Sequence, residues 1–233
     1  TPFDNWYVGS QASKVAADST NGRIYVSNHG EMKNGAAAIN SQTDAFEYYY
    51  TQLHGAQGRY GIDVDPDAGQ LYIAARDAGL IALQDAYRPD QDPQLVKLEP
   101  ARVPFVVAFN PATDHLFVTA AEVDKVVVLA PSSIQWSRGR WLMREGQRVF
   151  TLDRFNAGWI KELDVGQGAE EGIAVNPGNG YVYVTNTDDD TVSILRDAAD
   201  PVQIQWIQDI AVGDQPQGVD VDTTTNTVYV GNS

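Results

Sequence analysis

The sequence predicts an all-β repeat fold, one short antiparallel sheet per repeat, on three observations. An aromatic residue opens a β-rich run five times, at Tyr25, Tyr72, Phe117, Tyr183 and Tyr229, with spacings of 47, 45, 66 and 46 residues. Eight residues before each anchor stands an apolar residue: Ala17, Val64, Phe109, Val175 and Val221. Between the two lies a turn-rich segment, DSTNG, DPDAG, NPATD, NPGNG or DTTTN. Self-similarity at a period of this size marks a repeat architecture.

The clearest copy is Gly172–Leu195, GIAVNPGNGYVYVTNTDDDTVSIL. β-Branched and aromatic residues crowd Gly172–Val175 and Tyr181–Thr185, and the intervening Asn-Pro-Gly-Asn-Gly supplies the preset and positive φ angles that a hairpin needs. Asp188–Asp190 make a second turn, and Thr191–Leu195 alternates apolar and polar residues as a half-buried strand does. A fourth, outer strand precedes each copy, at Trp159–Val165 here and at Phe46–Leu53, Leu95–Leu98 and Gln203–Val212 elsewhere. Four antiparallel strands per ~45 residues is the blade of a β-propeller, each blade covering the apolar face of the next. The expected fold is therefore one β-propeller domain over residues 1–233, with five recognisable repeats.

The copies FNPATDHLFVTAAEVDKVVVL and GIAVNPGNGYVYVTNTDDDTVSIL resemble the YVTN-type repeat of bacterial and archaeal propellers, Tyr183–Asn186 spelling the motif itself. QGVDVDTTTNTVYVGNS at the end is similar, and RIYVSN and QLYIAA in the first two copies are looser versions. The resemblance implies a seven-bladed ring and an extracellular, periplasmic or cell-surface location. It says little about activity, because this fold carries many functions.

With no cysteine in 233 residues, the chain cannot form disulfides, thiolate metal sites or covalently attached c-type haem. No apolar run approaches the ~18 residues of a membrane span, so membrane insertion is not expected. TPFDNWYVGS at the N-terminus has neither the basic start nor the apolar core of a signal peptide, and suits a mature end left after cleavage. The net charge of −15 repels phosphate backbones and argues against nucleic-acid binding.

In the first copy, an outer strand is expected around Trp6–Val8, and the second turn, Asn28–Asn34, is longer than its counterparts. His29 and Glu31 within it read as a solvated turn, being far short of a metal-ligand set. The second copy carries Asp63, Asp65 and Asp67 before Gly69, an alternation of carboxylates that resembles a Ca²⁺ loop but lacks the terminal bidentate acid. A plain hairpin turn is the competing reading. Asp63 and Asp220 replace the alanines Ala16, Ala108 and Ala174 on the innermost strand. There they would line a polar channel, hold a cation, or accept bonds from neighbouring backbone amides. His29, His54 and His115 fall at non-equivalent repeat positions, so the register gathers no His-ligated metal site. No nucleophile elbow, phosphate loop or acid–base pair at a diagnostic spacing is present. No catalytic residue and no cofactor are assigned.

The 66-residue spacing leaves about 20 residues beyond the ordinary period, as expected of a per-repeat insertion. They lie within Pro131–Gly158, where Arg138, Arg140, Arg144, Arg148 and Arg154 outnumber Glu145 and Asp153 and interleave with Trp136, Trp141, Met143, Phe150 and Phe155. Arginine, tryptophan and methionine are enriched at protein interfaces. Trp136, Arg138, Arg140, Trp141, Arg144 and Arg148 are thus the candidate partner-binding residues, facing an acidic partner. The alternative is an extra β-hairpin, turning at Ser137-Arg138-Gly139-Arg140, that packs on its own blade.

The fifth copy stops at Tyr229–Ser233, where its third strand is due, so the last blade is expected to be incomplete and the chain part of a longer ring. A complete five-bladed ring with one irregular blade is the alternative. On function, a non-catalytic binding or scaffolding module that engages a protein partner leads. A cofactor-free propeller subunit of a multi-protein redox complex follows, its acidic face steering a basic carrier. A metal-dependent, lactonase-like hydrolase using Asp63, Asp220 and Asn186 comes third.

Overall fold

The computed structural model describes residues 11–28, 35–50, 59–98, 103–133, 140–144, 147–151 and 158–233. Strands organise all of it. The first sheet runs β1 (Ala12–Asp18), β2 (Arg23–Asn28), β3 (Gly35–Asn40) and β4 (Ala45–Tyr50) in spatial order. The second runs β5 (Arg59–Asp65), β6 (Gln70–Ala75), β7 (Leu80–Asp85) and β8 (Gln94–Lys97). A third contains β9 (Val103–Asn110), β10 (His115–Ala121) and β11 (Lys125–Leu129), then, after an intervening hairpin of β12 (Arg140–Arg144) and β13 (Gln147–Thr151), the strand β14 (Trp159–Asp164). The fourth comprises β15 (Ile173–Asn176), β16 (Tyr181–Asn186), β17 (Thr191–Arg196) and β18 (Gln205–Ala211). Finally β19 (Pro216–Asp222) pairs with β20 (Thr227–Asn232) as two strands. The four-stranded antiparallel sheets are the blades of a β-propeller.

The register explains the repeat. In every copy the aromatic anchor pairs with the residue nine before it: Ala16 with Tyr25, Asp63 with Tyr72, Ala108 with Phe117, Ala174 with Tyr183 and Asp220 with Tyr229. A small or short residue opposite a large ring leaves that ring room to lie in the face of the sheet. Tyr25 and Phe117 are 0% exposed and Tyr72 is 2% exposed.

One expectation is corrected. The outer strand does not belong to the copy it precedes; it completes the sheet of the copy before it. Thus β4 pairs with β3, β8 with β7, β14 with β11 and β18 with β17. An antiparallel neighbour is reached most directly through a short turn, and the four residues 41–44 between β3 and β4 provide one.

Contacts divide the chain into two compact units, residues 1–101 with 136–156, and residues 102–135 with 157–233. In the first unit Ala16, Tyr25, Ala38 and Tyr48 form one row across blade 1 and pack on Ile62, Val64, Leu71, Ile73 and Ala82 of blade 2. The Tyr48 hydroxyl donates to the Ala86 carbonyl at 2.6 Å. Arg23 bonds Glu47 at 2.7 Å and lies 5.0 Å from the centroid of the Tyr87 ring. In the second unit Phe117, Val126, Val128 and Leu163 of blade 3 pack on Val182, Val184 and Leu195 of blade 4.

Candidate functional site

The insertion leaves and re-enters blade 3 at a single point. Leu129 pairs with Trp159, and the Ala130 amide donates to the Gly158 carbonyl at 2.7 Å. A single 3₁₀ turn, Pro131–Ser133, opens the excursion, tied back by the Ser132 amide to Asp114 at 3.1 Å. Beyond it β12 and β13 pair as Arg140 with Thr151, Trp141 with Phe150, Leu142 with Val149, Met143 with Arg148 and Arg144 with Gln147. The insertion therefore contains a β-hairpin, but the expected turn is displaced. Arg140 begins a strand that stays paired with β13 as far as Arg144 opposite Gln147, so the hairpin does not reverse at 137–140.

Four of the six candidate partner-binding residues, Arg140, Trp141, Arg144 and Arg148, are carried by this hairpin. Trp136 and Arg138 lie outside the described residues, as do His29, Glu31, His54 and the Trp6–Val8 strand. Among the described residues this sheet has two strands only.

Asp63, Asp65 and Asp220 accept from backbone amides. Asp63 Oδ1 accepts from the Val64 amide at 2.8 Å, and Asp220 does the same with Val221 at 2.8 Å. Asp65 Oδ1 accepts from the amides of Asp67 and Ala68 at 3.0 and 3.1 Å, closing the first hairpin turn, in which Asp67 stands exposed. Among the described residues no three His, Cys, Asp or Glu side chains converge as a metal-binding group. Asn186, the last letter of the YVTN motif, is buried. Its Nδ2 donates to the Thr191 and Ser193 hydroxyls, both at 2.9 Å, and Ser193 donates on to Asp209 at 2.6 Å.

Sequence reasoning did not anticipate the most buried ionisable cluster described. The Asp197 side chain is 0% exposed and His115 5%. Asp197 Oδ1 lies 2.7 Å from His115 Nδ1 and accepts from the Ala198 amide at 2.8 Å; Oδ2 accepts from Asn110 Nδ2 at 2.6 Å and Thr113 Oγ1 at 2.5 Å. Burial alone would raise the Asp197 carboxyl, but the His115, Thr113 and Asn110 bonds outweigh it and hold the group below its ordinary value. An ionised carboxylate only accepts, so Nδ1 carries the imidazole proton. The signal was faint, since the partners stand 82 residues apart. Asp197's counterparts, identified by the same amide-to-carbonyl closure onto the preceding turn, are Ala86 and Ser41.

No family model matches the chain, and no curated protein sequence is significantly similar to it. Solved structures do resemble it. A protein of unknown function from Desulfotomaculum acetoxidans superposes with a TM-score of 0.66 at 13% identity, over 95% of this chain and 63% of that one. A chain of the nidogen/laminin complex gives 0.65 at 10% identity, over 95% of this chain and 72% of that one. For a chain of the mitotic checkpoint complex the values are 0.66 and 12%, over 95% and 58%. This chain thus spans less than two thirds of the Desulfotomaculum and checkpoint-complex chains. At these identities the likeness shows the propeller fold.

Proposed function

We propose that this protein is a propeller of the YVTN type, working outside the cytoplasm as a binding or scaffolding module whose blade 3 insertion docks an acidic protein partner. The observation that carries the reading is the stem. With Ala130 bonded to Gly158, the outer strand β14 would complete blade 3 through a short turn, so blade 3 itself does not need the insertion to close. What the blade does not require is free to serve a partner. Composition supports this, with five arginines, two tryptophans and a methionine between Pro131 and Gly158 in a chain of net charge −15. A two-stranded hairpin is also marginal by itself in water and gains stability by packing. Two of the similar structures are chains crystallised in protein complexes, nidogen with laminin and the mitotic checkpoint complex, which supports a binding role by analogy of fold. The YVTN assignment and the location rest on Tyr183–Asn186 and its neighbouring copies.

The test replaces residues 134–157 by a short Gly/Ser linker and compares affinity capture of partners, identified by mass spectrometry, with that of the parent chain. The excised protein is expected to keep its β-sheet circular dichroism and its unfolding midpoint while losing the captured partner. A well-folded excised protein that captures the same partner in the same amount overturns the proposal.

A further inference from the structure

We propose that the Asp197 cluster is a latch on the seam between blades 3 and 4, held shut through neutral and mildly acidic pH and released when Asp197 takes up a proton. Asn110, Thr113 and His115 come from the first hairpin of blade 3; Asp197 follows β17 of blade 4. The seam is thereby closed on one buried group.

Its chemistry decides when it opens. An ionised carboxylate offers about four acceptor positions, and four donors meet this one: His115 Nδ1, Asn110 Nδ2, Thr113 Oγ1 and the Ala198 amide. Each oxygen faces two of them. A proton on Oδ1 would point at the His115 and Ala198 N–H groups, and one on Oδ2 would oblige the Thr113 hydroxyl to reverse its bond, so the neutral acid keeps fewer and weaker bonds than the carboxylate. The charged residues next to the cluster in sequence have contacts of their own. Asp114 accepts from the Ser132 amide, Arg196 lies over the Tyr181 ring at 5.2 Å, and Asp200 accepts from the Val202 amide at 3.0 Å. The bonds hold the Asp197 carboxyl below the ordinary 3.8 despite burial. A carboxyl depressed in the folded state contributes its full stability above the unfolded-state value. It loses that contribution as pH falls through the lower, folded-state value. The latch therefore begins to weaken as pH falls toward the ordinary aspartate value and is lost as it passes through the lower, folded-state one.

Hydrogen exchange read by mass spectrometry on the whole chain tests this. In the parent protein, peptides covering 110–115 and 180–198, corrected for intrinsic rates, are expected to keep constant protection from about pH 7 to about pH 5 and to lose it below about pH 4. Asp197→Asn is expected to exchange there at least about tenfold faster at pH 7 and to show no acid step. Unchanged exchange in Asp197→Asn, or a parent seam that already opens between pH 7 and pH 5, overturns the latch. Should Asp197→Asn unfold the chain, seen as lost protection in β6 as well, Thr113→Val removes one donor only. Faster exchange confined to the seam then supports the latch, and exchange equal to the parent's overturns it.

Discussion

Two backbone positions recur in the first turn of every repeat. Seven residues before the anchor stands Asp18, Asp65, Asn110, Asn176 or Asp222, and each accepts a bond from an amide two or three residues on. Three residues before the anchor the backbone is left-handed, at Gly22, Gly69, Asp114, Gly180 and Asn226, with φ between 58° and 72°. An Asx acceptor followed by a left-handed residue closes a tight hairpin, the short polar side chain standing in for a backbone partner. At Gly69 the need for glycine is doubled, since φ is +63° and an added Cβ would fall 2.3 Å from the Tyr87 ring. A left-handed conformation alone costs an L-residue roughly 1–2 kcal/mol. Gly69→Ala should therefore lower stability by at least about that much in urea titration, with displacement of Tyr87 adding to it. A midpoint equal to the parent's would contradict this account of the turn. The turn composition was visible in the chain as DSTNG, DPDAG, NPATD, NPGNG and DTTTN. The division of labour within those letters was not, because an acceptor's role depends on where the amides point.

The anchors predicted where hairpins form, because an aromatic opposite a small or short residue is a local pattern that survives changes in every other letter, even at Tyr229, which is exposed. Phe117, fully buried and packed on Val182, Val184 and Leu195, is expected to cost about 3–5 kcal/mol when cut to alanine. Tyr48→Phe removes the bond to the Ala86 carbonyl and should cost about 1 kcal/mol. The ratio of the two shifts in denaturation midpoint checks whether aromatic burial or polar sealing dominates the seams. What the pattern missed lies between elements. The order of segments along the chain does not say which sheet an outer strand joins; pairing across a loop decides it, and so β4 went to blade 1. The repeat position of His115 gave no sign of Asp197 for the same reason, that partner being set by how blade 4 stacks on blade 3. The insertion was legible as an excess of length and arginine, while its hairpin register was not, since RWLMR and QRVFT are both good strands and several turns could join them.

Over the whole chain, charge is divided against itself. The net value is −15, yet Pro131–Gly158 holds five arginines against two acids. Which of the two governs encounter with an acidic partner depends on distance. At about 0.1 M salt the Debye length is ~10 Å, so a partner approaching from afar meets an acidic body, and only near contact do the arginines act without heavy screening. The two contributions respond to salt with opposite sign. Screening relieves the long-range repulsion but also weakens the local attraction to arginine. For the parent chain and its captured partner, affinity is expected to fall as salt rises from about 0.05 to about 0.5 M, because the proposed docking rests on contacts at the hairpin. Reversing charge at Arg140→Glu and Arg148→Glu together leaves repulsion at both ranges. That variant should bind weakly at low salt and gain affinity as salt is added, the reverse of the parent. Titration by surface plasmon resonance across the salt series reads both slopes. If parent and variant slopes share a sign and differ only by a constant factor, the arginines do not carry the contact, and the insertion is not the docking surface proposed for it.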